Sequence, residues 1–170
     1  LAGDALCILA FQLLGRTQNP KCVEVLASAL GSDGMIGGQM EDILAEGKTV
    51  DLENVEYIHI HKTARLIEAS LVIGAMLAGA TEAQLQIFSH FGTKIGLAFQ
   101  IVDDILDVEQ TTEALGKDAG SDVSKGKATY PGVVGLAESK QKASELMHQA
   151  IKELKKLDQD TNILEEIAKS

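Results

Sequence analysis

Apolar residues recur at helical spacing through most of the chain, and short polar or glycine-containing stretches interrupt the pattern. It predicts helices over 1–14, 20–30, 33–46, 51–60, 62–79, 82–110 and 133–157, with a short further one from 161. The separators carry turn and helix-end chemistry: Gly15 to Pro20, Gly31-Ser32-Asp33, Gly47 to Val50, and Gly79 to Thr81. One long stretch, TTEALGKDAGSDVSKGKATYPG at 111–132, has no such period, and irregular segments of that length in compact domains are usually functional or disordered. The longest apolar run, LVIGAMLAGA at 71–80, is about half of the ~20 residues a membrane span needs. With Glu68 just before it, the run reads as a core helix.

Inside the predicted 82–110 helix, FQIVDDILDV (99–108) sets three aspartates among apolar residues. At roughly 100° per residue, Gly96, Gln100, Asp103, Asp104 and Asp107 share an arc of about 100°. Leu97, Ala98, Phe99, Ile101, Val102, Ile105, Leu106 and Val108 cover the remaining circumference, the pattern of a helix buried on nearly all sides. The acidic stripe is therefore expected to face an enclosed cavity. Like charges at i,i+4 repel, and an unpaired buried carboxylate costs several kcal/mol. Ion pairs with lysines from other helices are one answer. A hard divalent cation such as Mg²⁺, held by carboxylate oxygens and shared with substrate phosphates, is the other, and the apolar remainder of the helix favours it.

Three further stretches can be read beside that stripe. In LGKDAGSDVSKGKATYP (115–131), Lys117 and Lys127 each adjoin glycine, which lets backbone approach a ligand, and lysine suits phosphate. Alone this reads as a solvated linker; next to an acidic metal face it reads as a diphosphate clamp. In SDGMIGGQMEDILAEG, Gln39 and Asp42 lie i,i+3 on one face, and Gly34, Gly37 and Gly38 weaken the helix unless close packing or ligand access compensates. A glycine-rich helix contact with a solvated Asp42 explains that spacing equally well. In HIHKTARLIEAS, Lys62 and Thr63 stand where one helix hands over to another, and a break there would expose a carbonyl and free the Thr63 hydroxyl. His59 and His61, two apart, point to different faces and do not form a metal pair. His90 and His148 read as surface or packing residues.

Composition narrows the class. With 170 residues, 45% of them hydrophobic, the chain is read as one domain, 1–170, with a substantial core. Two prolines, 4% aromatics and no Trp favour an all-α fold. A net charge of −10 argues against nucleic acid, and an anionic ligand needs a local cation. Cys7 and Cys22 lack metal-ligand spacing and read as buried free thiols of a cytoplasmic protein. LAGDALCILAFQLLG contains Asp4 and has no basic leader, so it is not read as a signal peptide. The chain begins without Met or a helix cap and ends in helical pattern, which suggests a fragment.

The motifs GMIGGQMEDI (34–43), KTARLIEAS (62–70), FQIVDDILDV and LGKDAGSDVSKGKATYP occur in the order seen in trans-isoprenyl diphosphate synthases, and LAGDAL at 1–6 also resembles them. The resemblance covers nearly the whole chain. It implies an all-α helical bundle around a deep central cavity, with two aspartate-rich motifs facing each other across its mouth. Asp103, Asp104 and Asp107 resemble the second motif, with Asp103 the principal Mg²⁺ ligand. Lys62, Lys117 and Lys127 would hold an allylic diphosphate, and Gln100 would add hydrogen bonds. The Lys62 carbonyl, Thr63 and Gln39 would lie near the developing allylic cation, with Asp42 close by.

The implied activity is Mg²⁺-assisted condensation of isopentenyl diphosphate with an allylic diphosphate to a farnesyl or geranylgeranyl product, in a homodimer. The departures are the first aspartate-rich motif, the paired arginines after it and the basic residues for isopentenyl diphosphate. Arg16 and Arg65 are the only arginines, and Ala64 stands where the family often has Gly. The bundle is therefore expected to be incomplete at the N-terminus, and these residues alone to be inactive although their parent is a synthase. A class I terpene cyclase is disfavoured by Lys117, Lys127 and the Gln39–Asp42 helix. A non-catalytic partner subunit is disfavoured by the intact Asp103, Lys117 and Lys127, and a purely structural bundle by the acidic stripe.

Overall fold

The computed structural model describes residues 1–114 and 128–169, without the side chains of 110–114. Its described residues form helices α1 (Ala2–Gly15), α2 (Pro20–Leu30), α3 (Met35–Ala45), α4 (Leu52–His59), α5 (Arg65–Leu77), α6 (Glu82–Ala114), α7 (Tyr130–Val134), α8 (Leu136–Leu154) and α9 (Asn162–Lys169). No strand occurs among them. The all-α expectation holds, and most helix ends fall within a few residues of the predicted ones.

Two differences matter for the site. The expected break between 51–60 and 62–79 is instead a π-helical turn, Ile60–Ala64, in which the Arg65 N–H reaches back to the Ile60 carbonyl. No proline or glycine lies between 60 and 73 to end a helix, so the chain widens by one residue and continues. The expected irregular stretch 111–132 also shrinks at both ends. Helix α6 continues to Ala114. At the other end Thr129 caps α7, its side chain accepting from Gly132 N at 3.3 Å, and Pro131 sits in the first turn where its missing N–H costs nothing.

Other caps set where the neighbouring helices start. Asn19 accepts from Lys21 N ahead of Pro20 in α2. Asp51 accepts from Asn54 N at 2.9 Å at the head of α4. That backbone hydrogen bond, followed by one from the Asn54 side chain, holds the Asp51 carboxyl below the usual carboxylate range.

Helix α6 is the axis of the molecule and packs chiefly against α8 and α5. Along it lie two of the three core clusters that the described residues form. Leu97, Ala98, Ile101 and Ile105 join Val55, Tyr130, Ala143 and Leu146 at one level. Phe91 joins Ala150 and Leu154 at the other, where α9 adds Leu164 and Ala168. The third cluster, Cys22, Leu26, Leu30 and Ile73, seats α1 on α2 and α5 through Cys7, Ala10, Phe11 and Leu14. The helix is not buried on nearly all sides, however. Phe99 is 60% exposed, and Val102 and Leu106 are also open to solvent, because α4, α5, α8 and the π-turn cover only one side of this stretch. No described helix is long and apolar enough to cross a membrane.

Candidate active site

The π-turn organises the site because two helices approach it more closely than any side chain would allow. A Cβ added at Gly38 of α3 would lie 2.3 Å from Lys62 N, and one at Gly96 of α6 would lie 2.4 Å from the Ala64 Cα. Both glycines are therefore needed for close backbone approach. Of the two readings left open for the α3 glycines, close packing is the one the geometry of Gly38 supports. Gly92 repeats the device one turn earlier on α6, where an added Cβ would lie 2.6 Å from the Glu68 Cα, beside a Glu68 carboxylate that accepts from Ser89 (2.6 Å) and Thr93 (3.2 Å).

This closeness brings together polar side chains from three elements. Lys62 Nζ donates to Asp42 Oδ2 at 2.6 Å; the carboxylate is only 13% exposed. Thr63 Oγ1 donates to Gln100 Oε1 at 2.8 Å, and Gln100 Nε2 donates to Asp103 Oδ2 at 3.2 Å. The Thr63 hydroxyl is thus engaged instead of freed. Because the Asp103 carboxylate can only accept, the Gln100 NH₂ must face it and the amide oxygen is left to Thr63, which fixes the amide orientation. Gln39 lines a depression of about 310 Å³ together with Met35, Ile36, Lys62 and Thr63. A larger cavity, about 500 Å³, lies between α2, α5 and α6 and is lined by Lys21, Arg65, Glu68 and Ser89, with none of the predicted site residues.

The three aspartates part company. Asp103 and Asp107 are exposed on α6, one turn apart. Asp104 is turned into the protein and 8% exposed, where Tyr130 N donates to its Oδ2 at 2.7 Å and His59 Nε2 lies 3.1 Å from the same oxygen. The enclosed acidic stripe is therefore corrected. Asp104 lies at the core-facing edge of the arc, whereas Asp103 lies at the opposite edge, next to exposed Phe99. Lys117 and Lys127 lie outside the described residues.

The sequence reading weighed His59 only as one of a metal pair, and it passed over Tyr130. Tyr130 is 2% exposed, its hydroxyl donates to Glu56 Oε1 at 3.0 Å, and Glu56 also meets Lys142 Nζ at 3.4 Å. Burial first, and then the hydrogen bond and charge of Glu56, push the Tyr130 hydroxyl well above its ordinary range. The available signal was the Thr-Tyr-Pro sequence, a helix cap followed by a first-turn proline.

Carboxylate oxygens on Asp103 and Asp107 fit Mg²⁺, a hard cation that fills most of its shell with water and phosphate oxygens. They are a partial donor set. Among the described residues no three His, Cys, Asp or Glu side chains come together to hold a metal unaided.

The same arrangement of helices occurs in solved prenyl synthases. The chain superposes on an FPP/GFPP synthase from Zymomonas mobilis with a TM-score of 0.82 at 33% identity, covering 99% of this chain and 59% of that one. It also superposes on a geranyltransferase from Helicobacter pylori, complexed with magnesium and isoprenyl diphosphate, with a TM-score of 0.78 at 33% identity, covering 96% and 55%. Among curated proteins it is 43% identical over 171 residues to geranylgeranyl pyrophosphate synthase 11, chloroplastic, of Arabidopsis thaliana, covering 94% of this chain and 48% of that one. Residues 1–168 match the polyprenyl synthetase family, and the chain belongs to it. It spans about half the length of the curated relatives it matches.

Proposed function

We propose that the protein is a trans-prenyltransferase that joins isopentenyl diphosphate to an allylic diphosphate and releases a prenyl diphosphate of farnesyl or geranylgeranyl length. The observation that carries this reading is the convergence of Gln39, Asp42, Lys62, Thr63, Gln100 and Asp103 on the glycine-packed π-turn. The Arabidopsis relative is named as a geranylgeranyl pyrophosphate synthase and the Zymomonas neighbour as an FPP/GFPP synthase, which supports the short-chain product.

In this reading Asp103 and Asp107 hold Mg²⁺, and further donors come from outside the described residues. When bound there, Mg²⁺ would stabilise the negative charge that develops on the departing diphosphate as the allylic C–O bond ionises. Lys62 adds a fixed positive charge on the same side, held in place by Asp42; Lys117 and Lys127 would extend it. Preorganised charges of this kind act without reorganising during the reaction. The Lys62 carbonyl, the Thr63 hydroxyl oxygen and the Gln39 side chain would face the developing carbocation as dipoles. Gln100 keeps Asp103 turned outward. No side-chain nucleophile is required.

The exposed row Leu6, Ile8, Leu9 and Leu13 on α1 supports burial against further protein, and a homodimer is part of the reading. Unpaired Cys7 and Cys22 support a reducing compartment, taken as the cytoplasm. Thermal melting of the intact protein with Mg²⁺ and inorganic diphosphate tests the site. The ligands should raise the melting temperature, and Asp103→Ala should remove most of that gain. An undiminished gain in the variant would exclude Asp103 as the ligand.

A further inference from the structure

Asp103, Asp104 and Asp107 look like three equivalent carboxylates in sequence, yet the middle one is buried while the other two are exposed. Asp104 Oδ2 receives two contacts, from the Tyr130 backbone N–H at 2.7 Å and from His59 Nε2 at 3.1 Å. All three residues are buried, at 8%, 2% and 4% exposure. The His59 and Tyr130 rings lie nearly parallel, 21° apart with centroids 6.3 Å distant. Among the described residues His59 Nδ1 is buried without a partner, and the polar tie of this imidazole within them is the one to Asp104. His59 is the residue immediately before the π-turn that carries Lys62 and Thr63, and Tyr130 opens α7. One carboxylate oxygen thus fastens two elements to the same turn of α6 that presents Asp103.

We infer that Asp104 is a positioning residue and not a metal ligand: with His59 and the Tyr130 amide, it sets the π-turn and α7 against α6 so that Lys62 and Thr63 stand in register with Asp103. The inference rests on the prenyltransferase reading for what is being positioned. Asp104 works as a hydrogen-bond acceptor, so an amide oxygen in the same place does the same work. A metal ligand, by contrast, needs the carboxylate charge, and Asn is a poor replacement for it.

The test compares Asp104→Asn, Asp104→Ala, His59→Gln and Asp103→Asn in the intact protein. Mn²⁺ serves as a paramagnetic stand-in for Mg²⁺ and is counted by electron paramagnetic resonance in the presence of inorganic diphosphate. KM and kcat are measured with the allylic substrate below each variant's melting temperature. Asp104→Asn should bind as many Mn²⁺ ions as the unsubstituted protein and keep its KM, and His59→Gln should keep the metal count. Asp104→Ala should also keep the count while its KM for the allylic diphosphate rises by on the order of tenfold, the cost of a misplaced clamp. Asp103→Asn should lose a Mn²⁺ ion. If Asp104→Asn loses Mn²⁺ as Asp103→Asn does, the assignment of Asp104 to positioning is overturned. If Asp103→Asn keeps every ion, it is the metal reading of the site that fails. Should Asp104→Ala not fold, the Asn and Gln variants still decide the matter.

Discussion

Lys62 and Asp42 are joined by a 2.6 Å hydrogen-bonded ion pair across the contact between the π-turn and α3. The carboxylate is the more buried partner, so removing the lysine leaves a desolvated acceptor. Lys62→Met should therefore cost about 1–3 kcal/mol in denaturant unfolding. Asp42→Asn, which keeps an oxygen for Lys62, should cost less. Equal losses would mean that the pair contributes packing and not charge.

The glycines that seat the π-turn should be intolerant of even one methyl. Gly38→Ala and Gly96→Ala each put a carbon against backbone atoms, which cannot move aside as a flexible side chain does. Overpacking of this kind typically costs about 1–3 kcal/mol, and prenyl transfer should fall with it. Gly3→Ala in α1 has nothing within 4 Å and serves as the control; it should be neutral or slightly stabilising. Thermal melts of the three variants measure this directly.

Tyr130 gives the fold a dependence on alkaline pH. Its hydroxyl is raised above the ordinary tyrosine value of about 10, so the folded state favours the protonated form. That contribution is fully present below pH ~10 and is lost as pH rises through the folded-state value. Stability of the unsubstituted protein should decline more steeply above pH ~10 than that of Tyr130→Phe. Parallel curves for the two proteins would show that Tyr130 titrates freely.

How much of this was legible in the sequence depends on which property each residue expresses. Helix positions were readable because apolar period, caps and glycines are local signals, and Asn19-Pro20 and Asp51 acted as such. The π-turn was legible only as a disturbance at Lys62-Thr63; the absence of Pro and Gly around it lets the helix run on, but the packing of α3 and α6 against the turn is a tertiary feature that no local pattern encodes. Asp103 and Asp104 are the clearest case. Adjacent and identical in sequence, they sit 100° apart on the helix, so one edge of the acidic arc tips into the core and the other into solvent. The partners of Asp104 lie 45 residues before it and 26 after it, and only the packed structure shows them.

Glu68 is a second long-range tie, joining α5 to α6 through Ser89 and Thr93. Glu68→Ala leaves both hydroxyls without that acceptor and should destabilise the protein by about 1–3 kcal/mol in urea unfolding. Because it lies on the cavity between α2, α5 and α6, KM for the allylic substrate should not change; a marked rise would extend the site to that cavity.

Turnover of the intact protein with labelled isopentenyl diphosphate, an allylic diphosphate and Mg²⁺, beside its Asp103→Asn variant, tests the prenyltransferase assignment most directly. A longer prenyl diphosphate should form in a Mg²⁺-dependent reaction, and the variant should be slower by about 10²-fold or more. No longer product from folded, unsubstituted protein, or an undiminished rate in Asp103→Asn, would contradict the account.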